Sequence, residues 1–404
     1  MAIIQPFQAV RPVRNKVCIV PSYPYEQYNQ HEINRIIKTN PYSFLNIIAS
    51  SYIRRLPKEK KYRAIRKQFG KFKKRGIYVQ DYLPFLYVLR ITDVSGNVFV
   101  GIVGLTSVED YKGGRILRHE KTLQKRVQAF AEYLKNVRIQ ADPVMLTYPS
   151  DPEVNELQDK YIGQVPEYEF STTDGTVYEA WLVSDFDDLK AMQRAFSKIE
   201  RLYIADGHHR VESTLAMQEE MKKANPYHTG NEAYNYLLSF FIPFDRLKIY
   251  PFHRGLKNLN GLDEKIFLER LKEKFKVEKL DKFEEPGKHE MILLLQGDYY
   301  KITIPEKNLK NGKNDVEVLN DEIIQGILKI NDPRNNKIIR YHEGKPGLKC
   351  VLRSIKEKQC TVSFFMHPLT FNEIKSVADA GLTLPPKSTY IDPKLLTGLF
   401  IYEF

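Results

Sequence analysis

A short segment with the sequence ADGHHR, Ala205–Arg210, combines residue types that bind phosphate. A predicted strand ends there, Gly207 permits a tight turn, and a predicted helix begins with two histidines and an arginine in its first turn. The backbone N–H groups and the positive dipole end of a helix start favour an anion, and Arg210 can hold a phosphate through two hydrogen bonds. The predicted phosphate-binding residues are Asp206, Gly207, His208, His209 and Arg210.

Two other interpretations of this segment remain open. Asp206 can cap the helix or approach a metal ion. A zinc site on the two histidines is disfavoured, because adjacent side chains on a helix diverge by about 100°. The plainest alternative is a capped helix with chance histidines.

A second segment, Arg118–Thr122, lies at the start of a predicted helix. An HExxH zinc site would need histidine at position 123, where Leu123 stands, so a metalloprotease of that class is excluded. Glu120 is a candidate general base, because burial can raise the proton affinity of a carboxylate. The alternative is a glutamate that only opens the helix and interacts with its dipole.

A third segment, Pro385–Thr389, has the sequence PPKST. Its two prolines stiffen the backbone, and Lys387 with the hydroxyls of Ser388 and Thr389 can contact phosphate oxygens. The alternative is a loop with chance residues. The three cysteines form no CxxC pair and have no recognisable histidine partner, so we expect them to be structural and reduced.

Helices and strands follow one another irregularly along the chain, which predicts mixed α and β structure. The predicted helices are His31–Lys38, Arg54–Arg75, Lys121–Val137, His208–Lys223, Lys265–Phe275 and Val316–Ile330. The predicted strands are Pro84–Ile91, Val98–Thr106, Pro143–Tyr148, Thr176–Val183, Leu202–Ile204, Phe240–Pro251, Met291–Leu295 and Tyr299–Ile304.

The net charge of +12 is concentrated in one of these helices. Twelve of the 62 basic residues and one of the 50 acidic residues lie in Arg54–Arg75, so the rest of the chain is nearly neutral. Apolar residues recur there at helical spacing, which indicates an amphipathic helix with a solvated cationic face. Nucleic acid is a less favoured partner for this face, because charge alone gives only non-specific affinity. The predicted buried positions are Tyr62, Ile65, Phe69 and Phe72.

The composition bounds the class of protein. With 404 residues and 42% hydrophobic residues, we expect two or three folded domains and exclude wholesale disorder. No apolar run approaches the roughly 20 residues of a membrane span, and the first residues do not resemble a signal peptide. We therefore expect a soluble, cytoplasmic protein without a membrane partner.

Motifs spread over nearly the whole chain resemble the family catalogued as domain of unknown function 1015. They are IIQPFQAVRP, NPYSFLNI, LTSVEDY, RHEKT, YIADGHHR, RLKIYPFHRG and LPPKSTYIDPKLLTGLF. That family is similar in turn to the free L-serine kinases of the ParB/sulfiredoxin-like superfamily, which carry an HE pair, a DGHHR turn, an aromatic-containing segment and a late PK-S/T-T in the same order.

The resemblance implies a role for each matching residue. The catalytic glutamate falls on Glu120, and the phosphate-binding turn falls on Asp206–Arg210. The late loop, Lys387–Thr389, closes over the donor phosphates. The aromatic residue that helps to hold serine falls on Phe252, where those kinases carry tryptophan. The residues to which the resemblance gives acceptor binding are His119, Phe252, His253 and Arg254.

The resemblance also implies a fold and a reaction. The expected fold is α+β, with a mixed N-terminal extension (1–110), a ParB/sulfiredoxin-like catalytic core (111–260) and a C-terminal α+β domain (261–404). The expected enzyme is a free L-serine kinase that uses ATP, ADP or inorganic pyrophosphate with Mg²⁺ and gives O-phospho-L-serine. The alternatives are a non-catalytic ParB-like module that binds nucleotide or DNA, and a nucleotide or pyrophosphate hydrolase.

Overall fold

A computed structural model describes residues 4–309, 312–332, 336–345 and 347–404. The chain folds into two units. The first unit holds the chain up to Arg118, Thr122–Leu247 and Pro393–Phe404, and the second holds His119–Lys121 and Lys248–Asp392. Both units mix helices with sheets, which confirms the predicted α+β class. The domain boundaries at residues 110 and 260 stay a prediction.

The first unit is built on an eight-stranded mixed sheet. The strands of the whole unit, including two small two-stranded sheets, are β1 (Val10–Pro12), β2 (Tyr78–Gln80), β3 (Leu86–Thr92), β4 (Val98–Ser107), β5 (Ile116–Leu117), β6 (Ile139–Gln140), β7 (Val144–Tyr148), β8 (Tyr168–Ser171), β9 (Val177–Val183), β10 (Leu202–Asp206), β11 (Tyr236–Pro243) and, near the C-terminus, β19 (Tyr402–Glu403). The order in the large sheet is β5-β10-β7-β11-β4-β3-β9-β8, and β1 pairs with β2 and β6 with β19. Strand β10, which leads into the ADGHHR segment, therefore lies next to the edge strand β5.

The helices of the first unit cover this sheet and continue its core. They are α1 (Gln30–Thr39), α2 (Leu45–Ile48), α3 (Ser51–Arg55), α4 (Lys58–Lys74), α5 (Val108–Lys112), α6 (Gln124–Val137), α7 (Pro152–Ile162), α8 (Phe186–Lys198) and α9 (His208–Ala224). Helix α6 packs along α9 through Ala131, Leu134 and Met217, so the start of α9 is held between the sheet and α6.

The second unit contains an antiparallel sheet. Its strands are β12 (Lys248–Leu256), β13 (Lys276–Leu280), β14 (Glu290–Leu295), β15 (Asp298–Thr303), β16 (Ile339–Glu343), β17 (Val362–Met366) and β18 (Thr389–Asp392). The order is β13-β15-β14-β17-β12-β16, and β18 pairs with the first half of β12. The helices are α10 (Glu264–Lys274), α11 (Asp315–Val318), α12 (Gly347–Lys356) and α13 (Phe371–Asp379), and a π-helical segment spans Leu319–Ile327.

Locally encoded elements agree with the sequence predictions. Helix α1 covers the predicted helix His31–Lys38, and the predicted strands Met291–Leu295 and Tyr299–Ile304 become β14 and β15, which pair as a hairpin. In the β3–β4 turn, Asp93 accepts hydrogen bonds from Ser95 and Asn97. The basic helix begins at Lys58, because Pro57 ends the preceding turn. The four predicted apolar positions of α4 are all buried.

Other predictions were wrong. The helix predicted from Lys121 begins only at Gln124, so Glu120 does not open a helix. The strand predicted over 240–251 is two strands, β11 and β12, separated by a 3-10 turn at Phe244–Arg246. Helices α7 and α8 were not predicted, although Asp151 and Asp185 cap their first turns. In the described part of the chain, no helix is both long and apolar enough to span a bilayer.

Candidate functional site

The turn between β10 and α9 has the geometry that the sequence predicts. Four of the five residues of β10 are buried, and Gly207 follows with φ +102°, a left-handed conformation that other residues adopt only with strain. A Cβ at Gly207 would lie about 3.0 Å from the guanidinium group of Arg210. Helix α9 then begins at His208 with no side-chain cap, so its N-terminal dipole faces the turn.

Arg210 contacts protein acceptors on the first unit. Its guanidinium donates to an Asp206 carboxylate oxygen at 2.5 Å and to the Pro143 carbonyl at 2.5 Å, and it lies 3.9 Å from Asp142. Arg210 therefore braces the turn from within, and its predicted role in phosphate binding stays a prediction. Asp206 pairs with Arg210 and does not cap α9, which corrects the capping alternative.

The charges around this turn keep Asp206 ionised. Burial would raise the pKa of Asp206, but the positive charges of Arg210 and Lys394 outweigh it and hold that pKa below its ordinary value. Burial would likewise lower the pKa of Arg210, but the carboxylates of Asp142, Asp206 and Glu26 hold it above its ordinary value. The Asp206 side chain is 49% exposed, so an ionised carboxylate lies at the surface beside the start of α9.

The two histidines of α9 are in different environments. His208 is only 5% exposed, and burial lowers its pKa to about 3, so the ring is neutral at physiological pH. His209 accepts a hydrogen bond at Nε2 from the Leu123 N–H at 3.0 Å, which leaves Nδ1 as the donor of a neutral ring. His209 thereby contacts Leu123, just after the segment that carries Glu120.

That segment is anchored to α9 at both ends. Arg118 donates to the Glu212 carboxylate at 2.5 Å, and the same oxygen accepts from the Tyr111 hydroxyl at 2.5 Å. Leu123 is bound to His209 at the other end. Glu120 lies two residues after Arg118, and two residues of chain span at most about 7 Å. Glu120 itself belongs to the second unit and is half-buried.

In the second unit, Arg254 is a buried cation. It is 4% exposed, donates to the backbone carbonyls of Phe252 at 2.5 Å and Pro386 at 3.3 Å, and lies 5.2 Å from the ring centre of Tyr341. Burial lowers its pKa to about 10. Among the described residues, no carboxylate forms an ion pair with it. Arg254 lines a small pocket with Leu319, Asn320, Ile324, Ile339, Tyr341, Pro385 and Pro386.

His253 points to the other face of the same strand. Successive side chains of a strand alternate between faces, so Phe252 and Arg254 share one face of β12 and His253 lies on the opposite one. The His253 Nδ1 accepts from the Met366 N–H at 3.2 Å, and burial lowers the pKa of this ring to about 4. His253 and Arg254, both of which the resemblance assigns to acceptor binding, therefore face opposite ways and do not hold one carboxylate together.

The late loop places its three residues differently. Lys387 is exposed, has φ +57° and lies 5.3 Å over the Phe252 ring. Ser388 is buried and donates its hydroxyl to the Pro385 carbonyl at 2.6 Å, and Thr389 is the first residue of β18. The structure thus brings Phe252 and Lys387 together, but the Ser388 hydroxyl donates within the loop. His119, also in this unit, is buried and accepts from the Leu384 N–H through its carbonyl.

Comparison with known proteins gives the family. The model of the family described as protein of unknown function, DUF1015, matches residues 4–343. The chain belongs to the DUF1015 family. This confirms the family indicated by the sequence motifs. No curated protein matches the DUF1015 chain.

Three solved structures resemble the DUF1015 chain weakly. A free serine kinase variant in complex with ADP is 17% identical, with 74% of this chain and 91% of that one covered and a TM-score of 0.37. C-terminally truncated SbnI from Staphylococcus aureus is 12% identical, with 73% and 85% covered and a TM-score of 0.39. A conserved hypothetical protein from Pyrococcus furiosus is 16% identical, with 74% and 95% covered and a TM-score of 0.34. At these TM-scores we infer nothing from the likenesses.

The residues that support the turn of the DUF1015 chain were not predicted from its sequence. Glu212 lies one helical turn after His208 on α9 and could have been noted as an acidic residue in the RVES extension of the motif. No local sequence pattern marks Asp142, Lys394 or Tyr111, because only the tertiary fold brings these residues to the turn.

The buried histidines predict a loss of stability in acid. An unfolded chain takes up a proton at each histidine below about pH 6.5, whereas folded His208 does so only near pH 3 and folded His253 near pH 4. Their contribution to the free energy of unfolding is therefore complete above about pH 6.5 and lost progressively as the pH falls towards 3. Urea unfolding between pH 7.5 and 4 measures this, and NMR shows which rings remain neutral. Protonation of His208 and His253 near pH 6.5 in the folded protein would contradict the assignment.

Proposed function

We propose that this DUF1015 chain is a phosphotransferase that moves a phosphoryl group from ATP, ADP or inorganic pyrophosphate to the hydroxyl of free L-serine. The observation that carries the proposal is the turn at the start of α9, where an uncapped helix N-terminus follows a left-handed glycine. Backbone N–H groups in this geometry bind phosphate oxygens. The ordered HE, DGHHR and PKST motifs supply the reaction class, by their resemblance to free serine kinases.

The donor phosphates would bind at the N-terminus of α9. The helix dipole and the positive charge of Lys394 favour them there, and His209 can donate from Nδ1. Arg210 acts through its neighbours, because it neutralises Asp206 and Asp142 beside the phosphates. Without that neutralisation, two carboxylates would repel the donor.

Mg²⁺ fits this arrangement as a partner of the donor. Mg²⁺ is usually held by one or two carboxylates together with substrate phosphates, and Asp206 offers an ionised, half-exposed carboxylate at the turn. Within the described ranges, no group of three or more histidine, cysteine or acidic side chains could hold a metal ion. When bound, Mg²⁺ would neutralise charge on the donor oxygens.

Glu120 would act as the general base. Its carboxylate takes the proton of the serine hydroxyl while the serine oxygen forms a bond to the terminal phosphorus. The bond between that phosphorus and the bridging oxygen breaks, and the leaving phosphate keeps the electron pair. Arg118 and Leu123, bound to Glu212 and His209, position the segment that carries this carboxylate.

Arg254 would bind the carboxylate of the acceptor. Arg254 is a buried guanidinium whose described partners are backbone carbonyls and an aromatic ring, so a substrate carboxylate would supply the missing counter-charge. The motif resemblance supports a ParB/sulfiredoxin-like core. It also supports the proposed roles of His119, Phe252, Lys387, Ser388 and Thr389.

The decisive experiment measures phosphoserine. The protein is incubated with Mg²⁺, saturating L-serine and, separately, ATP, ADP or pyrophosphate, and products are identified by mass spectrometry. We expect O-phospho-L-serine with at least one donor and none with L-serinamide, which lacks the carboxylate. No phosphoserine with any donor would refute the kinase. Serine-independent release of phosphate would instead identify a hydrolase, and donor binding without turnover would identify a non-catalytic module.

A further inference from the structure

Helix α4 presents a straight row of cations on its outer face. Its buried side chains, Tyr62, Ile65, Phe69 and Phe72, fix one face against the core of the first unit. At 100° per residue, five basic residues spaced by three or four positions cluster about the opposite direction. From the first to the last there are 14 residue steps, or about 21 Å at 1.5 Å per residue. We call them the α4 row: Lys60, Arg63, Lys67, Lys71 and Lys74.

The α4 row is exposed and has no counter-charge of its own. All five side chains are exposed, and none forms an ion pair with a described residue. The ion pairs of α4 lie away from the row, between Lys58 and Glu132 and between Lys73 and Glu403. Consecutive members of the row are like charges at i,i+3 or i,i+4, which destabilise a helix. A bound polyanion would relieve this repulsion.

The positive field continues beyond the helix. Arg138 ends α6 in a left-handed conformation, and both burial and the charge of Arg66 lower its pKa. Arg66 of α4 and Arg138 of α6 are therefore near neighbours of the same sign. Arg138 therefore adds a cation beside α4, whereas the chain outside Arg54–Arg75 is almost neutral overall.

We propose that the α4 row binds the phosphate backbone of double-stranded nucleic acid. A rigid row about 21 Å long meets a polymer that carries one charge per roughly 1.7 Å of duplex axis. Lysine and arginine without exposed aromatic residues on α4 contact phosphates and do not stack on bases, so binding is independent of sequence and does not favour single strands.

A membrane surface fits the α4 row less well. Helices that lie in a membrane interface bury apolar side chains among the lipids. The large apolar residues of α4 are all buried in the protein core, so this helix has none to insert. The proposal concerns a surface and does not depend on the phosphotransferase activity.

The test compares two charge-matched triple variants of the full chain. One reverses the α4 row by Lys67→Glu, Lys71→Glu and Lys74→Glu. The control makes the same change in net charge at exposed residues of the second unit by Lys265→Glu, Lys272→Glu and Lys282→Glu. Fluorescence anisotropy measures binding to two 20-base-pair duplexes of unrelated sequence at 50–200 mM salt, and thermal melts confirm that all three proteins fold.

The salt dependence gives the expected numbers. If all five cations contact phosphates, log K falls with a slope of about −4.5 against log salt, or roughly 500-fold between 50 and 200 mM. The row variant keeps two contacts, so its slope is about −1.8 and its affinity at 50 mM falls at least tenfold. The control variant keeps the steep slope, and both duplexes bind equally.

Three results would overturn the proposal. They are no salt-dependent binding of duplex by the wild-type protein, equal losses in the two triple variants, and tighter binding to vesicles with 30% anionic lipid than to duplex. The last result would assign the surface to a membrane. None of them depends on phosphoserine formation, so this proposal and the proposed kinase can fail separately.

Discussion

Replacing Glu120 by glutamine is expected to lower turnover by about 10²–10⁴ with little change in donor affinity. Glutamine keeps the size and one acceptor oxygen but cannot take a proton at neutral pH, and general-base catalysis contributes a factor of this order. A slightly higher donor affinity is also consistent with this mechanism, because the substitution removes a negative charge near the donor phosphates. The measurements are phosphoserine turnover and donor binding by calorimetry.

The control for this variant is Glu156→Gln, an exposed glutamate on α7. The unfolding free energy of both variants should lie within about 0.5 kcal/mol of the wild-type value, as is usual for substitutions at the surface. Because α6 begins at Gln124, Glu120 does not open a helix, and the alternative that it acts only on the helix dipole is excluded. Full turnover in Glu120→Gln would refute the mechanism even if phosphoserine is the product.

Arg210→Ala is expected to weaken donor binding at least tenfold and to destabilise the first unit. The change removes the counter-charge of Asp206 and Asp142 beside the proposed donor site and the donor to the Pro143 carbonyl. Loss of its charge-assisted hydrogen bonds lowers the stability of the first unit, at about 1.5–3 kcal/mol for each bond. The unneutralised carboxylates repel the donor phosphates, and each 1.4 kcal/mol of that repulsion is tenfold in donor affinity. The KM for serine should change less.

A double variant separates electrostatics from structure. In Arg210→Ala with Asp206→Asn, one of the two unneutralised carboxylates is gone, so part of the donor affinity should return. Arg194→Ala, on the exposed face of α8, is the matched control and should leave donor affinity unchanged. If Arg210→Ala leaves donor affinity intact while lowering the melting temperature, Arg210 is structural alone.

The sequence predicted the start of α9 well because its signal is local. A strand, a glycine and a helix start adjoin in the chain, and Gly207 takes the left-handed conformation that this order requires. The sequence could not predict that Arg210 is already engaged, because Asp142 and Pro143 reach it only when β7 pairs beside β10. The resemblance indicated a phosphate contact where the fold places an internal ion pair.

Two other errors have different causes. The late start of α6 is a tertiary effect, because the Leu123 N–H bonds to His209 and the backbone before it stays non-helical. The opposite orientation of His253 and Arg254 was foreseeable, because adjacent residues of any strand face opposite ways. By that rule, the segment RLKIYPFHRG predicts that Arg254 and Phe252 share one face of the strand and that His253 lies on the other.

The divided first unit has a consequence for folding during synthesis. Its last segment, Pro393–Phe404, supplies Ile401 to the core around α4 and pairs β19 with β6. A ribosome makes these residues only after the 145 residues of Lys248–Asp392. At 5–20 residues per second, the first unit waits roughly 7–30 s with an open core, which is time for chaperones to bind it.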